Sequence, residues 1–445
     1  MKRFIIAGTG SGCGKTTVTC AVLSALKKRG TDLAAFKCGP DYIDPMFLRR
    51  TLGTDVHNLD SFFCGRDTLL YLLDEYGGSR ELSVIEGVMG FYDGAEGSAH
   101  ALSQLTDTPV IMVIGCKGMS DSIGAVMRGF LSYRPNNIAG FVFDCLPERL
   151  EPLARKLCAE LGTGYFGFLP QNGAALESRH LGLVMPGEIA DINEKLDRLG
   201  ELAEKYIDLD GLLGLPDIPL PEYRAPRIPR FGSEPVIAVA YDSAFCFLYH
   251  ENIGLLEKMG CKAEYFSPLS DKHLPGADGL LLCGGYPELY GAELSANASM
   301  LADIRERICS GMPVMAECGG FMYLHEKMTD KSGKTYPMAG VIKGRTFPTE
   351  RLRRFGYITV TAREDGLLCG KGGSLKAHEF HYWDSTDCGA DFLAEKSDGR
   401  SWECGHTGGS IYAGFPHFYF YSDTGMAVRF VEKCCEYGGK NGAHT

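Results

Sequence analysis

The chain has 445 residues, 45% hydrophobic and 23% charged, the balance of a water-soluble globular protein too long for one core. Its formal net charge of −11 sets nucleic acid and anionic membrane aside as main partners, but leaves room for an anionic substrate in a local basic pocket. Its 17 cysteines contain no CxxC pair and no apolar run is long enough for a membrane span or signal peptide, so a cytosolic protein with reduced thiols is expected, without a zinc site or disulfide framework.

In chain order, RFIIAG (3–8) reads as a short buried strand, followed by a glycine-rich loop and a helix through VTCAVLSALKKRG that Gly30 closes. Apolar runs at 33–37, 82–87, 109–115 and 138–144, with helical patterns between them, predict a parallel sheet covered on both faces. The stretch LPDIPLPEYRAPRIPRFGSEP then carries six prolines and little periodicity. Residues 206–234 are therefore expected to be a semi-rigid linker between a first domain, 1–205, and a second, 235–440. A second α/β series runs through 235–242, 261–267, 279–285, 313–320 and 409–420. The expected fold class is α/β, in two doubly wound domains.

GTGSGCGKTT (8–17) departs from P-loop spacing by one residue: Gly14-Lys15-Thr16 is in place, but Gly8 stands one position early and Thr9 holds the place of the first glycine. Strand, turn and helix start still converge backbone N–H groups on an anion. Gly8, Gly10, Gly12, Gly14, Lys15, Thr16 and Thr17 are the expected nucleotide-binding set, with Lys15 reaching the β/γ-phosphates and Thr16 ligating Mg²⁺. Partition-type ATPases carry a signature lysine at position 10, where this chain has Gly10; the G-x5-GKT loop instead resembles that of dethiobiotin synthetase and its relatives, which activate a carboxylate or carbamate with ATP. In FKCGPDYIDP (36–45), Asp41 and Asp44 follow a strand, where they can hold Mg²⁺, orient a substrate, or form turns beside Pro40 and Pro45. In VIEGVMGFYDG (84–94), Glu86 ends a strand as a Walker-B-type acid does, and Asp93 sits in a turn that can approach ligand.

PVMAECGGFMYL (313–324) reads as strand, sharp turn and helix, the setting of an exposed nucleophile, with the helix dipole expected to favour the Cys318 thiolate and Gly319-Gly320 to allow close approach. Gly284 and Gly285 end another strand, and their N–H groups, with that of Gly319, are candidates for an oxyanion hole. His417, after the last strand, is the candidate general base; His381 in HEFHYW (378–383), beside His378 and Glu379, is the rival.

GPDYIDP with VIEGVMGFYDG, and RHLGL at 179–183, resemble the cobyrinic acid a,c-diamide synthase family. The AECGG and PH positions resemble the Cys–His pair of the glutamine amidotransferase domain in cobyrinic and cobyric acid synthases, and residues 241–260 and 266–271 extend the match over nearly the whole chain. The resemblance implies ATP and Mg²⁺ handling by Lys15, Thr16, Asp41 and Glu86, with Asp44 and Asp93 on the activation side, and a tetrapyrrole bearing acetate side chains as substrate. Two positions depart from pattern: Asp144 stands where the family has Asn near adenine, and Tyr419 where many class I amidotransferases have Glu.

The implied reaction is ATP-dependent activation of a carboxylate and its amidation, twice, by ammonia from glutamine. Nickel-sirohydrochlorin and hydrogenobyrinic acid diamide synthases share these motifs, and cobyric acid synthase runs the same chemistry on other carboxylates. A nucleotide-switched binding protein with an inactive amidotransferase fold is the alternative of another class. Partners are expected to be small molecules, and a homo-oligomer is compatible with the sequence.

Overall fold

A computed structural model describes residues 1–53, 55–94, 97–171, 178–179, 182–183 and 191–442. The chain divides into two compact units, Met1–Pro226 and Arg227–Thr445. Among the described residues no helix is long and apolar enough to cross a membrane, and no cysteine is disulfide-bonded.

In the first unit the strands are β1 (Arg3–Gly8), β2 (Leu33–Cys38), β3 (His57–Leu59), β4 (Leu82–Glu86), β5 (Val110–Gly115), β6 (Ile138–Leu146) and β7 (Gly164–Pro170). They form one parallel sheet in the order β3-β2-β4-β1-β5-β6-β7. Every residue of β1, β2 and β4 is buried, as unbroken apolar runs require when helices cover both faces. Helix α1 (Lys15–Lys28) shares its core cluster with Leu196, Leu199 and Ala203 of the helix Ile192–Tyr206. The expected linker begins inside this unit: Leu209 and Leu212, on the short helix Leu209–Leu213, are buried in the same core. Five residues are too few for helical periodicity to stand out beside the prolines that follow. Of RHLGL, Arg179, Gly182 and Leu183 lie in two short paired strands, while His180 and Leu181 lie outside the described residues.

In the second unit a parallel sheet runs in the order Lys262–Phe266, Val236–Ala240, Gly279–Leu282, Val314–Glu317, Ile411–Gly414, with His406–Thr407 antiparallel at its edge. A second, largely antiparallel sheet was not expected. It is built on Ile342–Ala362 paired with Ser374–Ser385, and the register shifts between Pro348 and Arg353 and again before Gly356. Those bulges interrupt the strand around the exposed Arg351, Arg353 and Phe355, and alternation with a buried apolar face is confined to its end, at Ile358, Val360 and Ala362. This sheet matters for the site because its strand Ser374–Ser385 pairs with His417–Phe418.

Candidate active site

The first cluster lies at the carboxyl edge of the parallel sheet, where open α/β folds bind ligands. β1 ends at Gly8, and the loop through Gly12 leads to Gly14, whose φ of 92° caps α1 without a side-chain hydrogen bond. No acidic residue occupies the first turn, so its N–H groups and the positive end of the helix dipole are left for an anion. A side chain at Gly14 would collide with the carboxylate of Asp144, which stands on β6 against the loop; burial raises the Asp144 pKa. Lys15 folds back over the loop and donates to the Gly10 carbonyl at 3.1 Å. Thr17 is half-buried in the first helical turn, and the Thr16 hydroxyl donates to Glu86 Oε1.

Sequence reasoning missed the centre of this cluster, Lys37. It is the register partner of Glu86 across β2 and β4, and only 1% exposed. Its Nζ donates to Asp44 Oδ2 at 2.5 Å and to the Gly87 carbonyl at 3.1 Å. Glu86 Oε1 lies at 3.5 Å and Asp41 Oδ2 at 3.9 Å. Burial acts to lower the lysine's pKa, but Asp44, Glu86 and Asp41 outweigh it and hold the ammonium charged. Burial pushes Asp44 up, and Lys37 more than reverses this, carrying it below the ordinary carboxylate range. For Glu86 burial prevails over the pull of Lys37, and its pKa is raised. A lysine inside the apolar run LAAFKC was the available signal: a fully buried ammonium needs carboxylate partners.

The other predicted carboxylates take quieter places. Asp41 Oδ1 accepts from the N–H groups of Ile43 (2.8 Å) and Asp44 (3.3 Å), starting the helix Ile43–Leu52. Asn58 fixes the same turn through the Gly39 and Asp41 carbonyls, both at 2.9 Å. Asp93 Oδ2 accepts from Gly90 N at 3.1 Å, closing its turn. Asp93 and Thr9 also line a cleft of about 410 Å³, with Tyr92, Gly129, Phe130 and Tyr133 on its walls.

Mg²⁺ fits the Thr16–Glu86 corner. Glu86 Oε2 is buried without a hydrogen-bond partner, and Mg²⁺ is commonly held by one or two carboxylates with phosphate oxygens completing its shell.

The second cluster surrounds Cys318. The strand Val314–Glu317 ends in Cys318 at φ 47°, ψ −100°, a strained conformation for a residue with a Cβ. Its N–H donates to the Gly414 carbonyl at 2.8 Å. A Cβ on Gly319 would lie 3.0 Å from Gly285 N, so the turn carrying the thiol rests on that peptide. A Cβ on Gly284 would lie 2.5 Å from His417 Cε1, so the imidazole occupies the space a side chain there would need. Gly284, Gly285, Gly319 and His417 thus converge on one turn. Glu317, also missed in the sequence, joins them: its Oε2 is 3.6 Å from His417 Nδ1 and its Oε1 accepts from Phe418 N at 3.0 Å.

Two features work against the expected thiolate at Cys318. The helix after Cys318, Gly319–Leu324, has only six residues. Burial, then Glu288, drive the thiol pKa well above its usual range; the Gly319 N–H pulls the other way, and Glu379 and Glu317 add to the rise. Burial and these carboxylates thus disfavour the thiolate of Cys318.

His381, the rival base, is buried. Its Nδ1 lies 2.5 Å from the Trp383 carbonyl and its ring stacks on Phe415 with centroids 3.9 Å apart. His378 is the cross-strand partner of His417; burial, then the neighbouring His417, lower its pKa to about 3. Glu379 is fully buried, 4.0 Å from His381.

Comparison with known proteins finds a family match in each of the two units. Residues 4–183 match the family described as the CobQ/CobB/MinD/ParA nucleotide binding domain, and residues 236–424 match the CobB/CobQ-like glutamine amidotransferase domain. Three similar relatives carry the name cobyrinate a,c-diamide synthase. That of Caldanaerobacter subterraneus subsp. tengcongensis is 36% identical, covering 98% of this chain and 99% of the relative. That of Thermoplasma volcanium is 36% identical over 98% of each chain. That of Listeria monocytogenes is 36% identical over 96% of this chain and 98% of the relative.

Proposed function

This chain belongs to the cobyrinate a,c-diamide synthase family, and from that premise we propose how its two units divide the reaction. The enzyme is a ligase that uses ATP and glutamine to amidate the a and c acetate carboxylates of cobyrinate. A free carboxylate is a poor acyl donor, so the first unit makes it a good one. A carboxylate oxygen attacks the γ-phosphorus of ATP, giving an acyl phosphate and ADP. The loop N–H groups and Lys15 hold the phosphates. Lys37, kept cationic by Asp44, Glu86 and Asp41, faces the charge that develops on the transferring group. Thr16 and Glu86 would hold Mg²⁺, which would supply further neutralising charge there. The aromatic cleft beside Thr9 and Asp93 takes a flat face of the macrocycle, next to the phosphate end of the loop.

In the second unit Cys318 Sγ attacks the side-chain amide carbon of glutamine while His417 takes the thiol proton and returns it to the departing ammonia. The N–H groups of Gly285 and Gly319 stabilise the tetrahedral oxyanion, each worth roughly 10²–10³ in rate, and Gly284 leaves room for the imidazole. Water releases glutamate from the thioester. Ammonia displaces phosphate from the acyl phosphate, and a second round gives the diamide. These are small, water-soluble reactants, in keeping with a cytosolic enzyme.

The observation that carries this reading is the strained Cys318 turn with His417 lying over Gly284. Cys318→Ala tests it: glutamine-driven synthesis should disappear while synthesis with added ammonium persists. Equal loss with both nitrogen sources would show that the units do not divide the work this way.

A further inference from the structure

We propose that Glu317, the residue directly before the nucleophile, is the positioning carboxylate of His417. The proposal rests on the amidotransferase reading of Cys318 and His417. A general-base imidazole must keep its proton on the nitrogen turned away from the nucleophile, and a carboxylate at that nitrogen fixes the tautomer and steadies the imidazolium. Glu317 has the placement for this. Its backbone is locked in the sheet opposite Gly414, and its side chain is 12% exposed. One oxygen is anchored by Phe418 N at 3.0 Å, the peptide next to the histidine, and the other stands 3.6 Å from His417 Nδ1.

The alternatives are occupied elsewhere. Position 419, where many class I amidotransferases carry Glu, holds Tyr419, fully buried with its ring edge-on to Tyr249 at 5.0 Å and 88°. His378, across the strand pair from His417, is neutral and supplies no counter-charge. An Nδ1–H directed at Glu317 leaves the Nε2 lone pair to accept the Cys318 proton. The cation so formed then has a carboxylate beside it, and the 3.6 Å gap closes as charge appears. One strand end thus sets the nucleophile and the positioning carboxylate on successive residues.

The test uses the full-length enzyme with Glu317→Gln, Glu317→Asp and Cys318→Ala. Glu317→Gln should lower kcat for glutamine hydrolysis about 10²–10⁴-fold with KM for glutamine little changed, the signature of a weakened general base. Ammonium-driven synthesis should persist, and Glu317→Asp, which keeps the charge on a shorter arm, should fall between. A Glu317→Gln kcat within about threefold of the parent would overturn the proposal. So would loss of ammonium-driven synthesis together with the melting temperature, unrescued by Glu317→Asp, because that marks a structural role. If Cys318→Ala retains glutamine hydrolysis, the underlying amidotransferase reading fails instead.

Discussion

Lys37 Nζ lies 2.5 Å from Asp44 Oδ2 and 3.5 Å from Glu86 Oε1, so one buried cation ties the turn after β2 to the end of β4, beside the phosphate loop. Three acidic side chains keep it charged, and it in turn makes their burial tolerable. The cluster thus sets one buried cation among three acidic side chains beside the loop.

Removing the cation should therefore be costly in two ways. Lys37→Met should abolish synthesis from glutamine and from ammonium alike. It should also lower stability by about 3–5 kcal/mol, the usual cost of stranding a buried ionic partner. Lys15→Ala should share the first effect and largely escape the second, since Lys15 bonds to a carbonyl rather than to a buried carboxylate. Rates with each nitrogen source and denaturant unfolding curves check both. Normal ammonium-driven turnover in Lys37→Met would remove this lysine from the activating step.

The cleft can be probed by filling it. Gly129 lines it on the helix Ser122–Tyr133, and a Cβ there meets nothing within 4 Å. Gly129→Leu should leave folding intact, and even gain up to about 1 kcal/mol of helix propensity, while raising KM for the tetrapyrrole at least about tenfold, the equivalent of 1.4 kcal/mol. KM for ATP and glutamine hydrolysis should not move. An unchanged tetrapyrrole KM would place the macrocycle elsewhere.

The raised Cys318 pKa has a direct sign. A carboxylate-rich, buried setting disfavours the thiolate, so its population at neutral pH lies below that of an ordinary thiol of pKa about 8.5. In the free enzyme, alkylation of Cys318 by iodoacetamide should be slow at pH 7 and should keep rising beyond the ordinary thiol range. Peptide mass spectrometry across pH, with the exposed Cys309 as internal reference, measures this. Labelling of Cys318 ahead of Cys309 at pH 7 would show a preformed thiolate.

Much of this was legible in the sequence because the informative positions obey local rules. Unbroken apolar runs marked the buried parallel strands, and GKT after a strand marked the anion site. The antiparallel sheet was not legible: its longest strand is bulged and half-exposed, so a two-residue period with a buried apolar face is left only at Ile358, Val360 and Ala362. Lys37 and Glu317 were missed for a different reason. Each acts through a partner brought close only by strand pairing, Glu86 for Lys37 and His417 for Glu317, and such neighbours leave no spacing to read. Asp41 shows why two readings stay open in sequence: a turn-former and a phosphate-site acid look alike, and Asp41 both accepts from Ile43 N and lies 3.9 Å from Lys37 Nζ.

The most direct test of the central claim follows atoms into products. Cobyrinate with its carboxylates enriched in heavy oxygen, and glutamine with heavy nitrogen in its side-chain amide, are turned over together and the products read by mass spectrometry. The account predicts heavy oxygen in inorganic phosphate, one atom for each amide formed, and heavy nitrogen in both new amides. Phosphate free of the label, with amides still formed, would contradict an acyl phosphate made at the first unit.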